Sequence, residues 1–547
     1  MRILRALWNT ITAAKNVFTN LIFLVIVIAI IVAITSRETL TVPESGALVL
    51  SPTGSIVEQK QAIDPFTEFF SNSDEEAETA LRDILESIES GANDKRIKAL
   101  VLHLDGMAGV SMSMLEEIGN AIERFRESGK PVLAFGRGFS QGQYFIAAHA
   151  DELYLDSHTF NALGGVLLTG FGSYPTYFKS AIDKLDVNVH VFKVGTYKSA
   201  VEPYLRDSMS PESRENNLEW LGQLWSSYTD GIIRERGLSR EEFSDYTNEY
   251  DVLLDNAGGD AVKLALDQNM VDDLISREAF ERKLADLVGK NDKGDYSGIG
   301  FRDYLRIQRP PIPIPTPGAS QIAVITGKGT ILDGEQPAGS IGGETMAKMI
   351  EDARKNDAVK AVVLRIDSPG GSAAASERIR TQLALTQRAG KPVVVSMSGV
   401  AASGGYWISA TANKIFAMPS TITGSIGTFI VFPTFTDTLS RIGVTTDGVG
   451  TTAMSGALDP TRPLNPVIER TLQLSVNNTY DKFLTIVAEG RNIDKEAVDK
   501  IAQGRVWSGG MALDLGLVDA IGNLEDAIDS AALLADLSDY EVMYVEK

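Results

Sequence analysis

The 547-residue sequence contains no cysteine. Disulfides, thiolate metal sites and a cysteine nucleophile are therefore excluded together. Histidine is scarce: His103, His149, His158 and His190 are the only four, and all lie in the first half of the chain. Positive charge is also short, with 51 Lys and Arg against 72 Asp and Glu and a formal net charge of −21. With no long basic run, phosphate-backbone binding lacks its electrostatic footprint, and nucleic acid is not an expected partner. No H-E-x-x-H metal motif and no phosphate-cradling P-loop occur, so neither a metal nor any other cofactor is expected.

One long apolar run exists, Val17–Thr35. At about 1.5 Å per helical residue its length suits a bilayer core of roughly 30 Å. Arg2, Arg5 and Lys15 precede it and would hold the N-terminus in the cytoplasm. A cleaved signal peptide would have a shorter apolar region and a small-x-small site, to which Ala33-Ile34-Thr35 is a poor match. The expectation is a retained anchor at 17–35 behind a cytoplasmic segment 1–16, with the globular part outside the cytoplasm.

The remainder repeats itself. Arg96-Ile-Lys-Ala-Leu-Val-Leu-His-Leu-Asp105 aligns with Ala358-Val-Lys-Ala-Val-Val-Leu-Arg-Ile-Asp367, and the same offset of 262 residues relates Tyr144 to Tyr406. Each copy carries a continuous Val/Leu/Ile run, an amphipathic stretch, and then Gly-Lys-Pro-Val opening a second apolar run. Short apolar strands alternating with helices imply parallel β-α-β units in each half. The proline-rich stretch that begins at Arg309 excludes a helix and marks a linker at 309–318 between units at 41–308 and 319–547. The acidic stretch around Ser73–Ser90 is expected to be a helix packed on the first unit or on a neighbouring subunit.

Gly399-Val-Ala-Ala-Ser-Gly-Gly-Tyr406 places Ser403 among small residues, between an apolar strand and a helical segment. Such a turn exposes a hydroxyl beside unpaired N–H groups able to stabilise an oxyanion. At the same offset the first copy has Gln141, so it lacks the nucleophile. Serine needs a base within reach, and no histidine lies in the serine-bearing half, so a Ser-His-Asp triad would have to form across the two halves. Burial lowers a lysine's pKa and makes it a base. The candidate is Lys198, in Val194-Gly-Thr-Tyr-Lys-Ser-Ala200, whose aligned segment at 449–454 has no lysine. Each copy thus keeps one half of a possible Ser–Lys pair. Whether the halves meet within one chain or between chains stays open.

These residues resemble the signal peptide peptidase A family in its long, two-repeat, membrane-anchored form. The resemblance rests on Asp367-Ser-Pro-Gly-Gly371, Gly399–Tyr406, Thr423-Gly-Ser-Ile-Gly427, Gly195-Thr-Tyr-Lys-Ser-Ala200, Gly504-Arg-Val-Trp-Ser-Gly509 and Gly516-Leu-Val-Asp519. It implies an α/β fold of two tandem domains like those of the Clp protease and crotonase folds, behind one N-terminal transmembrane helix. It further implies a serine peptidase that degrades released signal peptides and other short apolar peptides, on the periplasmic side of a bacterial inner membrane, as a homotetramer. Carried over, Ser403 is the nucleophile, Lys198 the general base, and Gly371 and Gly404 supply the oxyanion-binding N–H groups. Ser425 holds the lysine, or is simply a turn residue. The rival readings are a crotonase-like acyl-CoA enzyme, which needs neither Ser403 nor Lys198, and a catalytically silent membrane scaffold.

Overall fold

Strands with apolar residues at every position must be covered on both faces, which parallel sheets flanked by helices achieve. The computed structural model describes residue 8, residue 12 and residues 15–16, 18–25, 40–61, 78–159, 164–309 and 316–546. In it the run after Arg96 becomes the buried strand Ile97–Leu102, within a six-stranded parallel sheet. The order across that sheet is Asp273–Ile275, Glu152–Asp156, Val132–Gly136, Ile97–Leu102, Gly46–Leu50 and Gly298–Gly300. One face packs on helices Leu81–Asn93 and Met112–Glu127 through Ile84, Ile88, Ile118 and Phe125. The other is covered by helix Arg277–Val288 through Phe280 and Leu284.

The second sheet repeats the plan around strands Val359–Ser368 and Val393–Ala402. Val362 and Leu364 face helices Gly343–Lys355 and Ala373–Arg388, whereas Ala361 and Val363 face helix Leu524–Leu534. Its strands are parallel except for the edge pair Ile422–Gly424 with Val506–Ser508, which is antiparallel. The acidic stretch is helical from Leu81 and lies on the first unit's core, while residues 73–77 fall outside the described residues. So do 310–315 of the linker and most of the expected anchor, 17–35, of which residues 18–25 are helical and exposed. Among the described residues no helix is long and apolar enough to cross a membrane.

Among the contacts that join the repeats are a strand pairing and a buried ion cluster. Strand Asn188–Val194 pairs antiparallel with Thr428–Thr434, in a register that sets Val194 opposite Thr428 and His190 opposite Phe432. Elsewhere Arg365 of the second repeat is buried, with its guanidinium against Glu58 and Glu117 of the first and against Ser396 Oγ at 2.8 Å. At the equivalent place in the first repeat stands His103, whose imidazole pKa burial pushes down.

Candidate active site

The small residues around Ser403 are there because the backbone is bent sharply. Strand Val393–Ala402 ends one residue before it and helix Gly404–Ser409 begins one residue after. Ser403 itself has φ 52° and ψ −115°, a region costing a non-glycine residue about 1–3 kcal/mol. Two backbone bonds hold it there, from its own N–H to Gly424 O at 2.9 Å and from Trp407 N–H to its carbonyl at 2.9 Å. In the first repeat the corresponding helix starts one residue early by the 262-residue offset. Ser140, rather than Gln141, therefore sits at that N-cap, with an ordinary φ of −69°. The two serines occupy like positions, but only Ser403 is strained.

The Asp367–Gly371 turn lies against Ser403. Gly371 has φ 153°, and a Cβ there would fall 2.0 Å from Ile331 O, so no side chain fits. The flanking bonds, Ile331 N to Gly370 O and Ser372 N to Ile331 O, run on either side of Gly371 N. Gly404 is the first residue of its helix, where leading N–H groups have no intrahelical acceptor. A Cβ built on Gly404 would lie 3.1 Å from Gly371 N, so both amides edge one corner. Asp367 steadies the turn by accepting from Val400 N–H at 3.0 Å, and burial raises its carboxyl pKa to about 6.

Lys198 reaches this corner from the other repeat of the same chain. It stands a few residues beyond strand Asn188–Val194, and Ser425 stands just before the strand's partner, so the antiparallel pairing delivers both to one place. Lys198 Nζ lies 3.2 Å from Ser403 Oγ, 3.0 Å from Ser425 Oγ and 2.9 Å from Ser425 O. The side chain is buried, and burial lowers the amine's pKa to about 8. A neutral amine has two N–H groups and one lone pair. If the N–H groups donate to Ser425 O and Oγ, the lone pair is left facing the Ser403 hydroxyl.

All five residues singled out in the sequence line one cavity of about 500 Å³, or in the case of Ser425, Gly404 and Gly371 form its polar corner. None of the four histidines lines it, and His190 is engaged with Thr434 Oγ1 at 3.0 Å. The apolar wall was not legible in the sequence. It is built by Trp407 and Phe483, whose ring centroids are 4.7 Å apart, with Trp407 Nε1 donating to Glu377 at 2.9 Å. Trp407 directly follows the serine motif and could have been suspected. Phe483 sits in the middle of helix Pro466–Arg491, and nothing local marks it.

Peptidase family S49 matches residues 124–285 and 386–538. A protein named Protease 4 from Salmonella typhi is 41% identical over 548 residues, covering 98% of this chain and 87% of that protein. Protease 4 from Haemophilus influenzae is 37% identical with the same coverage. The chain belongs to peptidase family S49. It is a serine peptidase with peptide substrates, and these relatives lend no support to the acyl-CoA or scaffold readings. A shorter relative, from Enterococcus faecium, is named a putative signal peptide peptidase and is 37% identical over 194 residues, 36% of this chain and 56% of that protein.

Proposed function

We propose that this S49 peptidase cleaves peptide bonds with Ser403 as nucleophile and Lys198 as general base. The observation that carries the reading is a buried amine with its nitrogen 3.2 Å from the strained serine's hydroxyl. Neutral Lys198 Nζ takes the Ser403 proton as Oγ bonds to the substrate carbonyl carbon. The carbonyl oxygen becomes an oxyanion, received by Gly371 and Gly404 N–H. As the C–N bond breaks, the lysine ammonium returns its proton to the leaving amine. A water then gives a proton to the same amine and attacks the acyl-enzyme, releasing the acid and restoring Ser403. Ser425 keeps the lysine turned toward Ser403 throughout. Removing one oxyanion donor in such a site costs about 2.7–4 kcal/mol.

The substrates proposed are released signal peptides and other short apolar peptides. The Trp407 and Phe483 wall favours an apolar side chain, and the name of the Enterococcus faecium relative points the same way. An anchor at 17–35 would hold the protein in the bacterial inner membrane with the site on the periplasmic side, where such peptides collect, and the working form would be a homotetramer. An active-site fluorophosphonate should label the parent protein and fail on Ser403→Ala. The parent should also cut an apolar signal peptide faster than an acidic peptide of equal length. Equal labelling of both proteins would end the proposal.

The amine also sets the pH dependence. Below its pKa of about 8 Lys198 is an ammonium and cannot accept the serine proton. kcat/KM should therefore rise with pH, with an apparent midpoint near 8, and level off above it. A profile already flat at neutral pH would require a different base.

A further inference from the structure

The Gly504-Arg-Val-Trp-Ser-Gly509 motif has no part in the chemistry above, yet it lies behind the lysine. The segment joins helix Lys495–Ile501 to strand Val506–Ser508, which pairs with Ile422–Gly424 so that Val506 stands opposite Gly424. Arg505 O accepts from Ser425 N–H at 2.7 Å, and Gly504 N–H donates to Ile426 O at 2.8 Å. On its other side, Gln503 O accepts from Tyr197 N–H at 2.8 Å and Gln503 Oε1 from Thr196 N–H at 3.3 Å. One tripeptide thus binds both loops that meet at the amine. Its backbone passes so close that a Cβ on Gly504 would fall 2.6 Å from Lys198 N and 2.7 Å from Lys198 Cα. Gly504 also has φ 79°, which a side chain would strain. Gln503 is itself tied down, its Nε2 donating to Asp499 Oδ1 at 2.6 Å. The Arg505 guanidinium lies 4.0 Å over the Tyr197 ring and pairs with Glu215 and Glu219.

We infer that Gln503–Gly504–Arg505 is the positioning device of the general base, fixing how deeply the Lys198 amine sits and where it points. The inference rests on the reading of Lys198 as that base. None of the three residues lines the cavity, so they act through Lys198 rather than on substrate. A side chain at 504 pushes the lysine main chain away from the second repeat, opens the amine to water and lengthens its approach to Ser403. Burial is the cause of the lowered Lys198 pKa, and several ionisable groups on the surrounding elements are engaged with one another or with backbone. Arg505 pairs with Glu215 and Glu219, Tyr197 Oη lies 3.4 Å from Glu215, and Glu202 accepts from Ser210 N–H at 3.1 Å. The hydration of the amine is therefore what a variant here changes.

The test is the steady-state pH profile of the full chain carrying Gly504→Ala, beside Arg505→Ala, Arg505→Lys and Lys198→Ala, on one apolar fluorogenic peptide. Gly504→Ala should fold, lose about 100-fold in kcat with KM little changed, and move the acidic limb of its profile to higher pH. Arg505→Ala should shift kcat and limb in the same direction by less, and Arg505→Lys, which keeps a cation over Tyr197, should recover part of the loss. A folded Gly504→Ala protein with the parent's limb overturns the inference, whether or not its kcat has fallen. If that variant does not fold, Arg505→Ala decides by the same criterion. Activity surviving in Lys198→Ala would instead remove the general-base reading itself. An inactive Lys198→Ala beside a normal Gly504→Ala would refute the positioning device alone.

Discussion

Lys198→Met and Ser403→Ala should each lower kcat/KM by about 10⁵-fold or more, and the double variant should be scarcely worse, because groups acting as a unit do not contribute additively. The lysine variant should carry a second signature that a surface lysine would not. In the folded protein burial lowers the Lys198 pKa from 10.5 to about 8. At neutral pH both folded and unfolded chains hold the proton, so the fold bears the whole cost of the buried ammonium. As pH rises from about 8 towards 10.5 the unfolded chain binds more protons than the folded one, and the cost is relieved. Methionine removes it altogether and loses only the bonds to Ser425 and Ser403. Lys198→Met should therefore be more stable than the parent by about 1–3 kcal/mol near neutrality, the gap closing above pH 10. Thermal unfolding across that range checks it, and an inactive variant with lowered stability at all pH values would contradict the assignment of a buried, poised amine.

Arg365→Ala should have the largest effect on stability. Arg365 is buried, and its guanidinium is the countercharge for Glu58 and Glu117, both carried by the other repeat. Burial already raises the Glu117 carboxyl pKa, and one of its oxygens, Oε2, has no hydrogen-bond partner. Removing the guanidinium leaves two carboxylates facing each other in a dry interface, a change that costs about 3–5 kcal/mol. The variant can recover part of this by protonating Glu117, whose carboxyl pKa burial already pushes up. A folded pKa above the unfolded one makes stability highest in acid and lets it fall as pH rises through the folded value. Unfolding measured at about pH 5 and about pH 8 should show the deficit widening with pH. Since the same interface presents Lys198 to Ser403, activity should fall with it. A uniform deficit across pH would mean the carboxylates had found other partners.

Much of the fold was legible because its signals are local. Continuous apolar runs such as Ala361–Leu364, rich in β-branched residues and bounded by turns, read as strands covered on both faces, and the recurrence of the pattern after 262 residues made the two units visible in the sequence. The glycines and alanines around Ser403 likewise follow from a backbone bent within a few residues. The first-copy counterpart was displaced by one, to Ser140, because an offset taken along the chain does not register where a helix is capped. The pairing that joins the repeats left almost no trace. His190–Val194 reads as an apolar strand and lies within Asn188–Val194, but this strand and Thr428–Thr434 are mostly half-buried, so nothing in the sequence marks them as partners.

From residue types alone followed the absence of thiol chemistry, the lack of a histidine in the serine-bearing half, the doubled α/β plan, and a serine and a lysine each missing from the other copy. Tertiary structure decided that these two, 205 residues apart, meet in one chain, that the amine is dry, and which rings form the cavity wall. The reason is physical. Burial periodicity is written into neighbouring side chains, whereas the pairing that brings Lys198 to Ser403 is made by backbone N–H and C=O groups that every residue carries alike.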